Sequence, residues 1–151
     1  ARGLLEALET RSTCVRRRTA AIGLDSYGRV VGVAYNGVPR GFPHCSEGHP
    51  CQGAQDPSGD TQRCLALHAE QNLIINRSGE LYTIYLSASP CKTCALMLAN
   101  LPELRLLFYR DTYPDNAGFD VLREGGFTSE GVVFVARSRL WRMRRHGTCA
   151  E

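Results

Sequence analysis

Hydrophobic and polar residues alternate along the first third of the chain in blocks that indicate one helix followed by two strands. Residues 3–15 carry leucines on one face at helical spacing, which predicts a short amphipathic helix. Residues 19–25 and 29–36 are apolar runs rich in β-formers, and a Ser-Tyr-Gly turn separates them. This combination predicts an antiparallel β-hairpin.

Beyond residue 63 the hydrophobic pattern predicts helices and strands in alternation. In chain order these are a helix over 64–76, a strand over 81–86, a helix over 91–100, a strand over 104–109, a helix over 119–124 and a strand over 132–136. Because helices connect the last three strands, we predict that these strands run parallel with right-handed crossovers. The predicted fold is an α/β three-layer α/β/α sandwich.

Two stretches depart from this pattern. Residues 37–63 form a loop rich in Gly, Pro, Cys, His and Asp, and so long a loop in a compact domain is expected to be functional or held by a metal. Residues 137–151 form a basic tail with several arginines around Trp141, which we expect to be peripheral. We see no internal repeat and no dividing linker, so residues 1–151 are predicted to form a single domain.

Composition narrows the class of protein. A chain of 151 residues with 43% hydrophobic and 22% charged residues is typical of one soluble globular domain. No apolar run approaches the ~20 residues that cross a bilayer, and no segment resembles a secretion leader. Seven cysteines, an odd number, favour metal binding in a reducing compartment over a disulfide framework. We therefore expect a cytoplasmic protein with neither a membrane nor a nucleic-acid partner.

Two short motifs carry the candidate chemistry. The first is His68-Ala69-Glu70, and the second is Pro90-Cys91-Lys92-Thr93-Cys94. One imidazole and two thiolates can hold zinc with a fourth position left open for water, and a nearby carboxylate can move protons. This H-x-E and P-C-x-x-C pair is the signature of zinc-dependent nucleobase deaminases. The first motif alone is weak, but the two together are a specific signal.

The predicted fold brings the two motifs to one place. Sites in such sheets lie at the carboxyl ends of the parallel strands, near the N-termini of the following helices. Cys91 and Cys94 fall on the first turn of one predicted helix, where the helix dipole favours thiolates. His68 and Glu70 fall early on the preceding helix. We predict that His68, Cys91 and Cys94 bind zinc and that Glu70 is the catalytic proton carrier.

Further tracts make the interpretation more specific. They are Cys14, the run Ala34-Tyr35-Asn36-Gly37-Val38-Pro39-Arg40-Gly41, His44-Cys45, the run from Cys64 to Asn72, and the run from Ser89 to Cys94. With these tracts, nearly the whole chain resembles the deoxycytidylate (dCMP) deaminases of bacteria and phages. The Tyr-Asn-Gly-x-Pro tract is more discriminating than the zinc motif, which several deaminase families share.

The resemblance implies a cytidine deaminase-like mixed five-stranded sheet and hydrolysis of dCMP to dUMP for thymidylate synthesis. It also implies a homo-oligomer, with a hexamer favoured over a dimer or tetramer. Asn36 is expected to bind the deoxyribose, and the turn at Ser89 the exocyclic amine. Ala69 is a further substrate-binding candidate, and Arg40 and Tyr113 are the candidates for the 5′-phosphate.

Four cysteines precede the P-C-x-x-C motif, namely Cys14, Cys45, Cys51 and Cys64. Free cysteines are often simply buried, but three of these lie in or beside a hydrophilic loop with no apolar pattern. Phage members of the family hold a second, structural zinc with cysteines that correspond to Cys14 and Cys45. Cys51 and Cys64 complete the expected set because they are available, and His44 and His49 are substitutes.

Two departures from the family pattern leave alternatives open. The tract before Tyr35 has Ala34 where glycine is common, and the first strand begins Thr19-Ala20 where Val-Gly is usual. The added methyl of Ala34 is expected to obstruct a close approach of the backbone to a nucleotide, which argues against activation by dCTP and inhibition by dTTP. The alternative substrates are other or 5-modified cytosine nucleotides or nucleosides. A non-catalytic zinc-stabilised accessory protein is disfavoured, because a structural site needs no free carboxylate such as Glu70.

Overall fold

The computed structural model describes residues 1–56, 63–130 and 133–136. Part of the predicted cysteine-rich loop, at 57–62, falls outside the described residues. So does the predicted basic tail at 137–151, with Trp141 and Cys149. The structural findings below concern the described residues.

The described residues contain five α-helices, one short 3-10 turn at Cys45–Glu47 and six strands. The helices are α1 (Arg2–Glu9), α2 (Gln52–Gln55), α3 (Ala69–Asn76), α4 (Lys92–Ala99) and α5 (Ala117–Glu124). The strands are β1 (Ala20–Leu24), β2 (Val30–Tyr35), β3 (Thr83–Ala88), β4 (Leu106–Asp111), β5 (Phe127–Glu130) and β6 (Val133–Ala136).

All six strands join one mixed sheet in the order β2-β1-β3-β4-β6-β5. The predicted hairpin is present, because β1 and β2 pair antiparallel with Ala20 opposite Tyr35. Strand β1 also pairs antiparallel with β3, and β3 pairs parallel with β4. The mixed sheet is confirmed, with one strand more than the five expected.

The prediction that the last three strands all run parallel is wrong at the final strand. Strand β6 lies antiparallel to β4, because the unpredicted strand β5 precedes it and forms a hairpin with it. The segment Phe127-Thr128-Ser129-Glu130 is short and mostly polar, and it lacks the apolar alternation that identifies a strand. Without that extra strand, the helix α5 would have led into a parallel crossover.

Two predicted helices are shorter in the structure. Helix α1 ends at Glu9, and the following segment to Thr19 is irregular. Helix α3 begins only at Ala69, so Cys64 to His68 lies outside it. In this stretch Leu67 forms an isolated antiparallel bridge with Gly37. The bridge ties the end of the Tyr-Asn-Gly tract to the approach of the His68 motif.

Helices cover both faces of the sheet, which confirms the three-layer α/β/α arrangement. Helix α1 packs on one face, where Leu5 joins Ala20 and Ile22 of β1 in a small buried cluster. Helices α3, α4 and α5 cover the other face with the main core, which includes Leu73, Leu98 and Leu122. Burial of these leucines contributes about 1.5–3 kcal/mol each. None of the described helices is long and apolar enough to cross a membrane.

Candidate metal centre and active site

The zinc-motif residues lie where two helices begin. His68 is the N-cap of α3, and its backbone N–H donates to the side chain of Gln71 at 2.8 Å. Cys91 is the N-cap of α4, directly after the buried Pro90, and Cys94 lies in the first turn of that helix. The Leu67–Gly37 bridge holds the residue before His68, and strand β3 ends shortly before Cys91. The backbone that carries the three side chains is therefore held in place.

The structure brings His68, Cys91 and Cys94 together. Nδ1 of His68 lies 3.5 Å from Sγ of Cys91 and 3.4 Å from Sγ of Cys94. The three ligand atoms all lie within 4.8 Å of one another. Tetrahedral ligands with usual Zn–N and Zn–S bond lengths stand about 3.6 Å apart. The donor set and its spacing therefore fit zinc, in a cluster that can leave one position open.

The charges of these groups suit a cation. A hydrogen bond from the Cys94 thiol, with a further contribution from His68, lowers the pKa of Cys91 to about 4. The same contact with Cys91, together with burial, raises the pKa of Cys94. Hydrogen bonding to Cys91 raises the pKa of His68. These contacts favour the thiolate form of Cys91, and a metal that binds the cluster would replace the protons on its partners.

Glu70 lies beside this cluster and is almost fully buried, with 7% of its surface exposed. Burial raises the pKa of its carboxyl to about 6. Its side chain contacts Cys94 but is not a member of the His-Cys-Cys cluster. A carboxyl group that titrates near neutrality next to a metal site is suited to accept a proton and return it.

The cluster opens into a cavity of about 540 Å³. Glu70 lines it, as do three of the predicted substrate-binding residues, Asn36, Ser89 and Tyr113. Ala69 is fully buried at the start of α3 and is not among the described residues that line the cavity. Arg40 is exposed and lines a separate groove beside β2 and α3. The structure does not bring Arg40 to the cavity.

Two other arginines, Arg16 and Arg17, line the cavity and were not identified from the sequence. The guanidinium of Arg17 lies over the Tyr113 ring, 4.7 Å from its centroid. The hydroxyl of Ser89 accepts a hydrogen bond of 2.6 Å from the backbone N–H of Tyr113 and so fixes that ring's segment. The run of three arginines before β1 could have indicated a phosphate-binding segment, but nothing in the sequence places it opposite Tyr113.

Arg110, another cation near this edge, is fully engaged by neighbouring carboxylates. Its guanidinium donates to both carboxylate oxygens of Glu9 at 3.0 and 2.9 Å, and to Asp111 at 3.0 and 2.8 Å. These contacts tie helix α1 to the end of β4. Arg110 is therefore a structural link, and Arg17 is the cation that faces the cavity beside Tyr113.

The four upstream cysteines lie near one another beside the same cavity, although among the described residues no three of their sulfurs lie within 4.8 Å of one another, as the ligand atoms of the His68 cluster do. The Cys51 thiol hydrogen-bonds with Cys45 and Cys64, and Cys14 interacts electrostatically with both of these. Backbone N–H groups donate to three of the sulfurs, for example from Cys51 to Cys45 at 3.4 Å. Burial raises the pKa of Cys45 and of Cys64, whereas at Cys51 the N–H and thiol donors together outweigh burial and lower the pKa. Cys14 and Cys64 also line the cavity.

Gly53 permits the chain next to Cys51 to lie close to the backbone of Cys64. An added Cβ at Gly53 would lie 2.5 Å from the backbone nitrogen of Cys64, closer than side chains tolerate. The backbone N–H of Gly53 donates to the carbonyl of Arg63, and the carbonyl of Gly53 accepts from the Arg16 guanidinium at 2.6 Å. The segment that carries Cys51 is thereby held against both Cys64 and the wall of the cavity.

Residues 2–109 match the family model for the cytidine and deoxycytidylate deaminase zinc-binding region. That match covers more than two thirds of the 151 residues, so the chain belongs to this family. Its described metal cluster and the family's zinc-binding region agree, and the chain is accordingly a zinc-binding protein of the deaminase class.

Individual relatives are similar over most of the chain. It is 32% identical over 118 residues to the deoxycytidylate deaminase of Mycobacterium phage D29, covering 73% of this chain and 91% of that protein. It is 28% identical over 135 residues to the deoxycytidylate deaminase of Saccharomyces cerevisiae, covering 87% of this chain. The chain spans only about two fifths of the length of the two yeast relatives, at 43% and 38%.

A solved structure supports the fold. The crystal structure of the dCMP deaminase from cyanophage S-TIM5, in complex with dCMP and dUMP, superposes with a TM-score of 0.68 at 28% identity. The superposition covers 82% of this chain and 88% of that one. The three-layer architecture is therefore shared with an enzyme that binds a pyrimidine deoxynucleotide.

Proposed function

We propose that this member of the cytidine and deoxycytidylate deaminase family hydrolyses dCMP to dUMP and ammonia. The observation that carries the proposal is the placement of Glu70 beside the His68, Cys91 and Cys94 cluster, in a cavity of nucleotide size. The similarity to phage deoxycytidylate deaminases supports dCMP as the substrate. The resemblance seen in the Tyr35-Asn36-Gly37 tract supports the same choice.

The chemistry follows from the side chains. His68, Cys91 and Cys94 would hold zinc, which when bound would supply Lewis acidity and lower the pKa of water toward neutrality. Glu70 accepts a proton from the attacking water and delivers it to the ring nitrogen next to carbon 4. A carbon–oxygen bond forms at carbon 4, and the bond from carbon 4 to the amino nitrogen then breaks. Glu70 takes the remaining proton from the new hydroxyl at carbon 4 and gives it to the amino nitrogen, which leaves as ammonia while the oxygen becomes the carbonyl of dUMP.

A substrate panel tests this function. Purified zinc-loaded protein should deaminate dCMP faster than deoxycytidine, dCTP or 5-hydroxymethyl-dCMP, as followed by the change in ultraviolet absorbance. A preference for one of the other compounds would favour the alternative, a related deaminase with a different cytosine substrate. A zinc-loaded, folded protein that acts on none of them would favour the non-catalytic accessory module.

The 5′-phosphate is expected to be recognised by Arg17, with Tyr113 beside it. A charge-assisted hydrogen bond to phosphate contributes about 1.5–3 kcal/mol. Arg17→Ala should therefore lower kcat/KM for dCMP roughly ten- to a hundredfold. It should leave the slower reaction of deoxycytidine nearly unchanged, because that substrate has no phosphate. Steady-state kinetics with both substrates measures the difference.

Arg40→Ala is the matched comparison, since it also removes one arginine near the Tyr-Asn-Gly tract. The sequence analysis named Arg40 and Tyr113 as the phosphate candidates; Tyr113 lines the cavity, whereas Arg40 lines a separate groove. We expect this variant to keep its preference for dCMP over deoxycytidine. If Arg40→Ala loses that preference and Arg17→Ala keeps it, Arg40 binds the phosphate and Arg17 does not.

We further propose that Cys14, Cys45, Cys51 and Cys64 bind a second, structural zinc. Their mutual contacts and backbone N–H donors support it. Elemental analysis should give two zinc ions per chain. Cys45→Ser should lose one zinc and lower Tm by on the order of 10 °C, because structural zinc contributes to folding energy. Cys94→Ser should also lose one zinc, but this variant should lose activity, whereas the main effect of Cys45→Ser is on stability.

One zinc in fully active wild-type protein would contradict this second site.

We also propose the cellular location, the oligomeric state and the domain organisation that the sequence predicts. They are a cytoplasmic location, a homo-oligomer with a hexamer favoured, and a single deaminase domain over residues 1–151. Sedimentation of the purified protein at several concentrations tests the oligomer directly.

A further inference from the structure

The side-chain amide of Asn36 is held on three sides by the segment that precedes β1. Its oxygen Oδ1 accepts from the Thr19 backbone N–H at 2.8 Å and from the Ser12 hydroxyl at 2.7 Å. Its nitrogen Nδ2 donates to the Arg17 carbonyl at 2.7 Å. Asn36 itself is buried, with 7% of its surface exposed, and it lines the cavity.

These contacts determine which hydrogen-bonding role Asn36 can offer to a ligand. A backbone N–H can only donate and a carbonyl can only accept, so Thr19 and Arg17 together fix which amide atom faces which way. Oδ1 has two acceptor positions, and Thr19 and Ser12 occupy both. Nδ2 carries a second hydrogen besides the one donated to Arg17. Asn36 is thus restricted to the role of donor toward the cavity.

Ser12 supports this arrangement without touching the cavity. It is buried, with 5% exposed, and the described residues that line the cavity do not include it. Its hydroxyl also lies 2.9 Å from the Asn36 carbonyl oxygen and accepts from the Cys14 backbone N–H at 3.3 Å. The hydroxyl therefore connects the amide of Asn36 to the backbone of the segment that carries Arg17.

We propose that Ser12 is a positioning residue for nucleotide recognition: its hydroxyl occupies Asn36 Oδ1, so that Nδ2 donates to the 3′-hydroxyl oxygen of the deoxyribose. This inference rests on the proposed dCMP deaminase function. Without the hydroxyl, Thr19 and Arg17 still set which way the amide faces, but one acceptor position of Oδ1 loses its partner and the amide is held by two contacts instead of three. Binding of the sugar then weakens, while the groups that perform the chemistry stay in place.

Steady-state kinetics of Ser12→Ala tests the positioning role. Loss of one buried hydrogen bond predicts that KM for dCMP rises about fivefold to tenfold. Ser12 contacts neither Glu70 nor His68, Cys91 or Cys94, and its one contact with a proposed structural zinc ligand is with the backbone of Cys14. We therefore expect kcat to stay within about twofold. Ser12→Thr retains the hydroxyl and should restore most of the lost affinity. Thr10→Ala removes a hydroxyl that bonds the exposed Ala7 carbonyl, and it should leave both constants unchanged.

A substrate that lacks the 3′-hydroxyl separates positioning from general damage. With 2′,3′-dideoxycytidine 5′-monophosphate, wild type and Ser12→Ala should have nearly equal kcat/KM. An equal loss on both substrates, or a fall in kcat alone, would overturn the inference. If wild type does not deaminate dCMP, the proposed function fails instead.

If Ser12→Ala does not fold, Asn36→Asp decides the question. The aspartate keeps the acceptor contacts with Ser12 and Thr19, but it loses the Nδ2 donor and places a second oxygen against the Arg17 carbonyl. It should show a raised KM for dCMP and little change with the dideoxy substrate. An unchanged KM for dCMP in a folded Asn36→Asp protein would show that Asn36 does not donate to the sugar.

Discussion

Glu70→Gln is expected to abolish deamination while leaving the zinc bound. Glutamine has nearly the same shape as glutamate, so the packing around this buried position should survive. Its amide cannot accept a proton from water and pass it to the ring. General acid–base groups typically contribute ~10²–10⁴-fold to rate, and kcat should fall by at least that factor.

Single-turnover assays and metal analysis of the purified variant measure the two parts of this prediction. Glu80→Gln is the matched control, because it makes the same chemical change at an exposed carboxylate that follows the C-terminal end of α3, whereas the metal cluster lies at the start of that helix. It should have wild-type activity. Turnover of Glu70→Gln within tenfold of wild type would remove Glu70 from the mechanism. Loss of zinc would instead show that its carboxylate helps to hold the metal.

The fold was predictable wherever hydrophobic spacing is strong. The hairpin β1–β2 and the alternation of β3, α4, β4 and α5 follow from apolar runs separated by turn residues. Strand β5 was missed because its pairing depends on a partner strand rather than on its own pattern. The hairpin with β5 sets the direction of β6. Missing this one short strand therefore gave the wrong predicted direction for β6.

The site was predictable where its residues are close in sequence. Cys91 and Cys94 are three apart at a helix start, and His68 begins the preceding helix, so local geometry alone nearly fixes the metal cluster. The cation beside Tyr113 was not predictable in this way. Arg17 reaches Tyr113 because β1 and the end of β4 lie in one sheet, a contact across 96 residues. Sequence spacing carries no information about such a contact.

Gly118→Ala is expected to damage the metal centre from outside it. Gly118 lies in the first turn of α5, and an added Cβ would collide with the carbonyl oxygen of Pro90. It would also lie 3.2 Å from the backbone of Cys91, a predicted zinc ligand. Neither of these contacts is with a flexible side chain, so α5 or the Pro90–Cys91 backbone must shift.

The expected cost has two parts. Overpacking of this kind destabilises by about 1–3 kcal/mol, which lowers Tm by several degrees. A displacement of roughly 1 Å in a catalytic group can cost about a hundredfold in rate. We therefore expect Gly118→Ala to lower kcat/KM by on the order of a hundredfold and to weaken zinc binding, because the shift reaches Cys91 directly. Competition with a chromogenic chelator measures the zinc affinity.

Gly3→Ala is the matched control for this change. Gly3 also lies in the first turn of a helix, but an added Cβ there has no neighbour within 4 Å. Alanine favours helix over glycine by about 1 kcal/mol, so this variant should be as stable as wild type or more so. If Gly118→Ala binds zinc and turns over dCMP as well as Gly3→Ala does, then α5 can move away without displacing Cys91. The close approach of α5 to Pro90 would then be a feature of packing alone, and the metal centre would depend only on the two helix starts that carry its ligands.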